Sequence, residues 1–129
     1  MVTKYKNDIR LYINGNLQFS TRDEYRYHEA LVHPTLQAYN NPKNILVTGG
    51  LGLIGHNIVE RLQDQGHVVS IMDTMTNYGI IPQEQIDHLM SERCKKIDMS
   101  GHYNYDICDI KRVEEVFNIE QPEIVIHCA

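Results

Sequence analysis

The sequence predicts an α/β fold in which half of a doubly wound parallel sheet follows a small N-terminal β-hairpin segment. Two patterns carry that expectation. After Lys43, four short and nearly continuous apolar runs alternate with segments whose apolar residues fall at helical spacing, as in strands buried on both faces between crossover helices. Before it, Asn14-Gly15 stands between runs of alternating side chains, and Asn-Gly supplies the two positive-φ residues of a type I′ hairpin turn.

Taken in order, the hairpin covers 10–20, and in its second strand Leu17 and Phe19 share a face from which Gln18 points away. Residues 21–24 are a polar turn. Residues 25–38 carry an apolar pattern expected to pass from a strand into a short helix broken near Pro34. Tyr-Asn-Asn-Pro at 39–42 is loop chemistry and sets a boundary between a 1–42 segment and a 43–129 unit. In that unit 44–48 is a buried strand. Residues 53–65 form a helix with Leu53, Ile54, Ile58, Val59 and Leu62 on its apolar face, stopped by Gly66. Residues 67–73 are the second strand, 82–94 a helix with Pro82 in its first turn, 103–107 the third strand, 110–119 a helix and 123–127 the fourth strand. The usual order of such strands, 3-2-1-4, leaves the third and fourth at the edges, and self-association through those exposed edges is expected.

A length of 129 residues, 42% hydrophobic and 22% charged, suits one compact domain and is short of two. Twelve Lys and Arg against seventeen Asp and Glu give a net charge of −5, which argues against nucleic acid or an anionic membrane as partner. The charge steps from +1 over 1–42 to −6 over 43–129, at the same boundary. No apolar run approaches the roughly 18–20 residues of a membrane helix, and residues 1–10 lack a signal peptide's apolar stretch, so a cytoplasmic location is expected. Cys94, Cys108 and Cys128 are odd in number and widely spaced, as reduced thiols are. A metal site is not expected: His28 and His33, five apart, lie roughly 140° apart around a helix. His102, Cys108, His127 and Cys128 suit packing or rim positions, as do Tyr103 and Tyr105, while Glu114, Glu115, Glu120 and Glu123 are expected to form the solvated face of the last helix.

The chemistry concentrates in Thr48-Gly49-Gly50-Leu51-Gly52-Leu53-Ile54-Gly55, a glycine cluster that follows a strand and opens a helix. In that context Gly49 permits the tight turn, Gly52 lets backbone approach a pyrophosphate, and Gly55 lets helix and strand pack closely. Free N–H groups at the helix start favour phosphate charge. Asp73 ends the next strand, where a carboxylate accepts from both ribose hydroxyls and repels a 2′-phosphate. Met72, Thr74 and Met75 beside it offer no cation for that phosphate, so the cofactor expected is NAD.

These residues resemble the cofactor half of the extended short-chain dehydrogenases/reductases, the nucleotide-sugar epimerases and dehydratases that include UDP-glucose 4-epimerase. The resemblance covers 43–129 and implies a Rossmann-like domain. By it Gly49, Gly52, Leu53, Ile54 and Gly55 contact the pyrophosphate and Asp73 the adenosine ribose. Asp106 and Ile107 match the pair that borders the adenine, and the Ile-His-x-Ala match at 126–129 puts Cys128 and Ala129 beside the nicotinamide ribose. The same family works with a Ser/Thr and a Tyr-x-x-x-Lys placed after the fourth strand. Tyr39 and Lys43 have that spacing, but Pro42 lies between them and both precede the first strand, so no catalytic residue is expected here. A nucleotide-sugar substrate is expected only of a complete homologue.

Residues 11–43 resemble a different family, spermidine synthase, an aminopropyltransferase, through the Gln near the second hairpin strand, Arg22-Asp23-Glu24 and Tyr27-His28-Glu29. That resemblance implies contacts from Gln18 and His28 to decarboxylated S-adenosylmethionine and from Tyr27 to the polyamine. It is expected to end at the glycine loop, where Leu51-Gly52-Leu53 replaces the transferase Gly-Asp-Gly. A recombined or misassembled gene that joins the two families near residue 42 is therefore expected.

Overall fold

The structure is a computed structural model that describes residues 1–22, 26, 30, 33–34, 36–38, 42–76 and 82–129, with Phe19 described by its backbone. Half of the 25–38 segment, Tyr27 and His28 included, lies outside the described residues, as does Tyr39.

β1 (Val2–Tyr5), β2 (Asp8–Ile13) and β3 (Asn16–Ser20) form an antiparallel sheet in that order. Asn14 at φ 51° and Gly15 at φ 79° make the tight turn that Asn-Gly favours. The register shifts between Leu11, opposite Phe19, and Tyr12, opposite Leu17, so Gln18 is the extra residue of a bulge and is exposed. β1 is an addition to the expected hairpin. Val2, Thr3 and Tyr5 suit a strand, and pairing with β2 holds it, with the Met1 ammonium donating to the Tyr12 carbonyl at 2.8 Å and the Tyr12 N–H returning a bond to Met1 at 2.9 Å. Asp8 is buried and accepts from Ser20 Oγ at 2.7 Å and Arg10 Nε at 2.5 Å, bonds that hold its carboxyl below the usual range, Ser20 foremost.

The second sheet is parallel throughout. Its strands, β4 (Asn44–Thr48), β5 (Val68–Met72), β6 (His102–Tyr103) and β7 (Ile124–His127), lie in the order β6-β5-β4-β7, which is the expected 3-2-1-4. Its two central strands read as apolar runs because both faces are covered. On one face Ile45, Val47 and Ile71 meet Ile58, Val59 and Leu62 of α1 (Gly55–Asp64), with Met90 and Cys94 of α2 (Gln83–Cys94) packed against them. On the other, Leu46 and Met72 meet Val116 of α3 (Ile110–Glu120), flanked by Tyr103 and Tyr105. A fully buried aliphatic side chain contributes roughly 1.5–3 kcal/mol, so this two-sided core is the main stabilising feature.

α1 ends in a Schellman motif, Gly66 N–H to Gln63 and His67 N–H to Leu62, with Gly66 at φ 86° as the helix-ending residue expected. Asp109 caps α3 by accepting from the N–H groups of Lys111 and Arg112.

Three expectations are corrected. α1 begins at Gly55, so Leu53 and Ile54 precede it and are exposed, while Leu51 takes the buried place in the core. The third strand ends at Tyr103, because Tyr105 N–H turns back onto the Tyr103 carbonyl at 3.0 Å. Of the four carboxylates expected on a solvated face, Glu114 and Glu123 are exposed, Glu115 pairs with Arg112, and Glu120 is half-buried. Glu120 accepts from Ser70 Oγ at 2.7 Å and from the Tyr103 hydroxyl, whose pKa is pushed up to about 12, while Glu123 accepts from the N–H groups of Lys43 and Asn44 at the start of β4. No helix among the described residues is long and apolar enough to cross a membrane.

Candidate functional site

The C-terminal ends of the parallel strands open onto a cleft of about 520 Å³. In open parallel sheets that is where ligands bind. The glycine loop forms its floor. Gly49 leaves β4 at φ 66°, and a Cβ there would lie 2.6 Å from the Ala129 nitrogen. At Gly55 a Cβ would meet the Gly49 carbonyl oxygen at 2.1 Å, and at Gly52 the same oxygen at 3.1 Å. The turn is therefore built on glycines in close backbone contact. Gly52 N–H closes it onto the Gly49 carbonyl at 3.0 Å.

Asp73, one residue past β5, faces this loop. Its Oδ2 accepts from Leu51 N–H at 2.9 Å and its Oδ1 from Met75 N–H at 2.8 Å, with Met75 itself in the left-handed region at φ 55°. A carboxylate has about four acceptor positions, and hydrogen bonds among the described residues occupy two of them. Across from Asp73, Asp106 Oδ1 accepts from Cys108 N–H at 2.8 Å, and the Asp106 carboxylate beside the Cys108 thiol raises the pKa of that thiol. Burial raises that of Cys128. All three cysteines are free. Thr48 Oγ1 and His127 Nδ1 share a hydrogen bond of 2.7 Å across the ends of β4 and β7.

Of the residues singled out from sequence, Gly49, Gly52, Asp73, Asp106, Ile107, Cys128 and Ala129 all line this one cleft. Leu53, Ile54 and Gly55 do not line it, although the first two belong to the loop that forms the floor and Gly55 opens α1 directly after it. Gln18 belongs to the other sheet. Met72, Thr74, Met75, Thr76, Met90, Tyr105 and Cys108 also line the cleft. Thr74 to Thr76 could have been found by their place just after Asp73; Met90 could not, since nothing in its helix's weak apolar pattern aims it there. Arg93 was also missed, and its Nη1 donates to the Leu51 carbonyl at 2.7 Å.

Among known proteins the chain is similar to polyamine aminopropyltransferases. That of Leptospira interrogans is 66% identical over 104 residues, which is 76% of this chain and 21% of the relative. Polyamine aminopropyltransferase 2 of Ralstonia nicotianae is 64% identical over 50 residues, 39% of this chain and 10% of the relative. That of Oceanobacillus iheyensis is 46% identical over 70 residues, 54% of this chain and 14% of the relative. The chain thus spans about a fifth or less of each of these relatives' length. The Leptospira match covers more of the chain than residues 1–50 can supply, so the likeness runs past the glycine loop, where the sequence alone had been expected to end it. A second comparison matches the whole parallel-sheet unit: the model of the NAD dependent epimerase/dehydratase family covers residues 45–129, from the first core residue of β4 through the glycine loop to the end of the chain given. By that match, over the residues that build the cleft, the chain belongs to the NAD dependent epimerase/dehydratase family.

Proposed function

We propose that residues 43–129 hold NAD as the cofactor half of an enzyme that epimerises or dehydrates a nucleotide-sugar. The observation that carries this is Asp73, a carboxylate at the end of the second parallel strand, bound to the glycine loop through Leu51 N–H and lining the cleft.

The residues present fit a dinucleotide. Gly52 is free of a side chain where a pyrophosphate would approach, Leu53 and Ile54 are exposed ahead of α1, Asp73 would take the ribose hydroxyls, and Asp106 with Ile107 would border the adenine. Cys128 and Ala129 would border the nicotinamide ribose. NAD, when bound, supplies hydride transfer to and from a sugar carbon. The residues named here would bind and orient it; among the described residues, those that line the cleft include Tyr105 and no lysine.

Calorimetry on the full chain tests the proposal. NAD is expected to bind, NADP more weakly, and Asp73→Asn to cost about tenfold in NAD affinity, since a charge-assisted hydrogen bond is worth somewhat more than a neutral one. An Asp73→Asn chain that binds NAD as the parent does would overturn it.

A second reading has a specific support, the 66% identity to a protein named as a polyamine aminopropyltransferase. It assigns Gln18, Tyr27 and His28 to a ligand of the decarboxylated S-adenosylmethionine type. A thermal shift with that compound and none with NAD would place it ahead.

A further inference from the structure

The glycine loop is gripped from two sides. On one, the Asp73 carboxylate accepts from Leu51 N–H; on the other, Arg93 in the last turn of α2 donates from Nη1 to the Leu51 carbonyl at 2.7 Å, bridging 42 positions in sequence. Leu51 is fully buried, so the two peptide groups that flank it are fixed by opposite charges before Gly52 begins the exposed part of the loop.

A helix-end arginine has a plain structural use, since a cation in the last turn complements the helix dipole. Arg93 does more than that, because its hydrogen bond leaves α2 and reaches the loop. A neutral donor would satisfy one carbonyl. A guanidinium has five N–H donors and a full charge, and among the described residues no carboxylate forms an ion pair with Arg93. That charge is felt at the loop. His56, in the first turn of α1, shares a 2.8 Å hydrogen bond with the Gly52 carbonyl. Its pKa is lowered first by burial and further by the nearby charges of Arg93 and Lys96. The Gly52 hydrogen bond and the Glu60 charge act the other way, and Asp73 adds a negative charge to the loop, so the Arg93 guanidinium is set there among charges of both signs.

We propose that Arg93 is a positioning residue for a diphosphate: through the Leu51 carbonyl it sets the loop whose N–H groups face that anion, and its charge offsets the anion's own. The inference rests on the reading that this loop takes NAD. Arginine suits the role because its planar fork fixes direction as well as charge.

The test uses the full chain and three probes, NAD, ADP and adenosine, titrated by calorimetry into the parent, Arg93→Gln and Arg93→Lys. Glutamine keeps a donor for the Leu51 carbonyl and removes the charge, so the loop stays held; thermal melts check that it does. The expected result is a loss of about tenfold for NAD and ADP in Arg93→Gln, with adenosine within twofold, and recovery of most of that loss in Arg93→Lys. Arg93→Gln binding NAD within twofold of the parent overturns the proposal, and so does an equal loss for NAD and adenosine. If Arg93→Gln melts early, it is titrated below its melting range, where a loss for ADP that adenosine does not share is still the expected result and an equal loss for both overturns the proposal. A parent chain that does not bind NAD overturns the reading beneath it, whereas a parent that binds while Arg93→Gln is unaffected overturns the role of Arg93 alone.

Discussion

Gly52 in the loop and Gly55 at the start of α1 stand three residues apart and differ sharply in what a methyl group would meet. A Cβ at Gly55 would overlap the Gly49 oxygen at 2.1 Å and Gly50 Cα at 2.7 Å, both backbone atoms that cannot rotate away; at Gly52 its nearest contact would be 3.1 Å. Overpacking a rigid site costs about 1–3 kcal/mol and sometimes more. Gly55→Ala is therefore expected to lower the urea midpoint far more than Gly52→Ala, and equal midpoints would show that the loop yields. The spacing of these glycines was legible in the sequence, as was the turn at Gly49. The burial of Leu51 was not. Apolar periodicity cannot locate the first turn of a helix, so Leu53 and Ile54 read as its apolar face although they are exposed, and Leu51, fully buried, was given no role.

Among the elements, the informative contacts join residues far apart in sequence. Glu123 reaches the start of β4, and the N–H groups of Asn44 and then Lys43 hold its carboxyl below the usual value of 4.5. A lowered folded-state pKa stabilises the fold above 4.5, and that contribution fades as pH falls through the folded value. Glu123→Gln is accordingly expected to be less stable than the parent at pH 7 and equal to it near pH 2, read from urea midpoints at the two pH values; a difference independent of pH would mean the charge plays no part. α3 gives a second case. Asp109 serves two N–H groups of its first turn, so Asp109→Ala is expected to cost about 0.5–2 kcal/mol in chemical denaturation. Capping chemistry of that kind is local and readable. Glu120 and Glu123 were not readable, since a carboxylate 50 to 80 positions from its donor looks the same in sequence as one in water.

At the scale of the molecule, two sheets of different character share one chain. The parallel sheet was legible as a class and in strand order because burial on both faces writes itself as unbroken apolar runs. β1 was not, since its strand state comes from pairing with β2. The difference in burial predicts a difference in local stability. Ile45, Leu46, Val47 and Ile71 are at most 1% exposed, whereas Val2, Ile9 and Ile13 of the antiparallel sheet are 68%, 42% and 53% exposed. Three short strands with so little covered surface are marginal alone. Native-state hydrogen exchange is therefore expected to find the amides of β4 and β5 opening only with global unfolding and those of β1 to β3 opening at lower free energy. One slow class spanning both sheets would show instead that the antiparallel sheet is locked into the same cooperative unit. Adding ligand turns the experiment into a decision between the two functional readings. If NAD binds at the cleft, it slows exchange at 49–54 and 73–76 and leaves β1 to β3 untouched. A transferase-type ligand reverses that pattern, with protection beginning at Gln18 on β3.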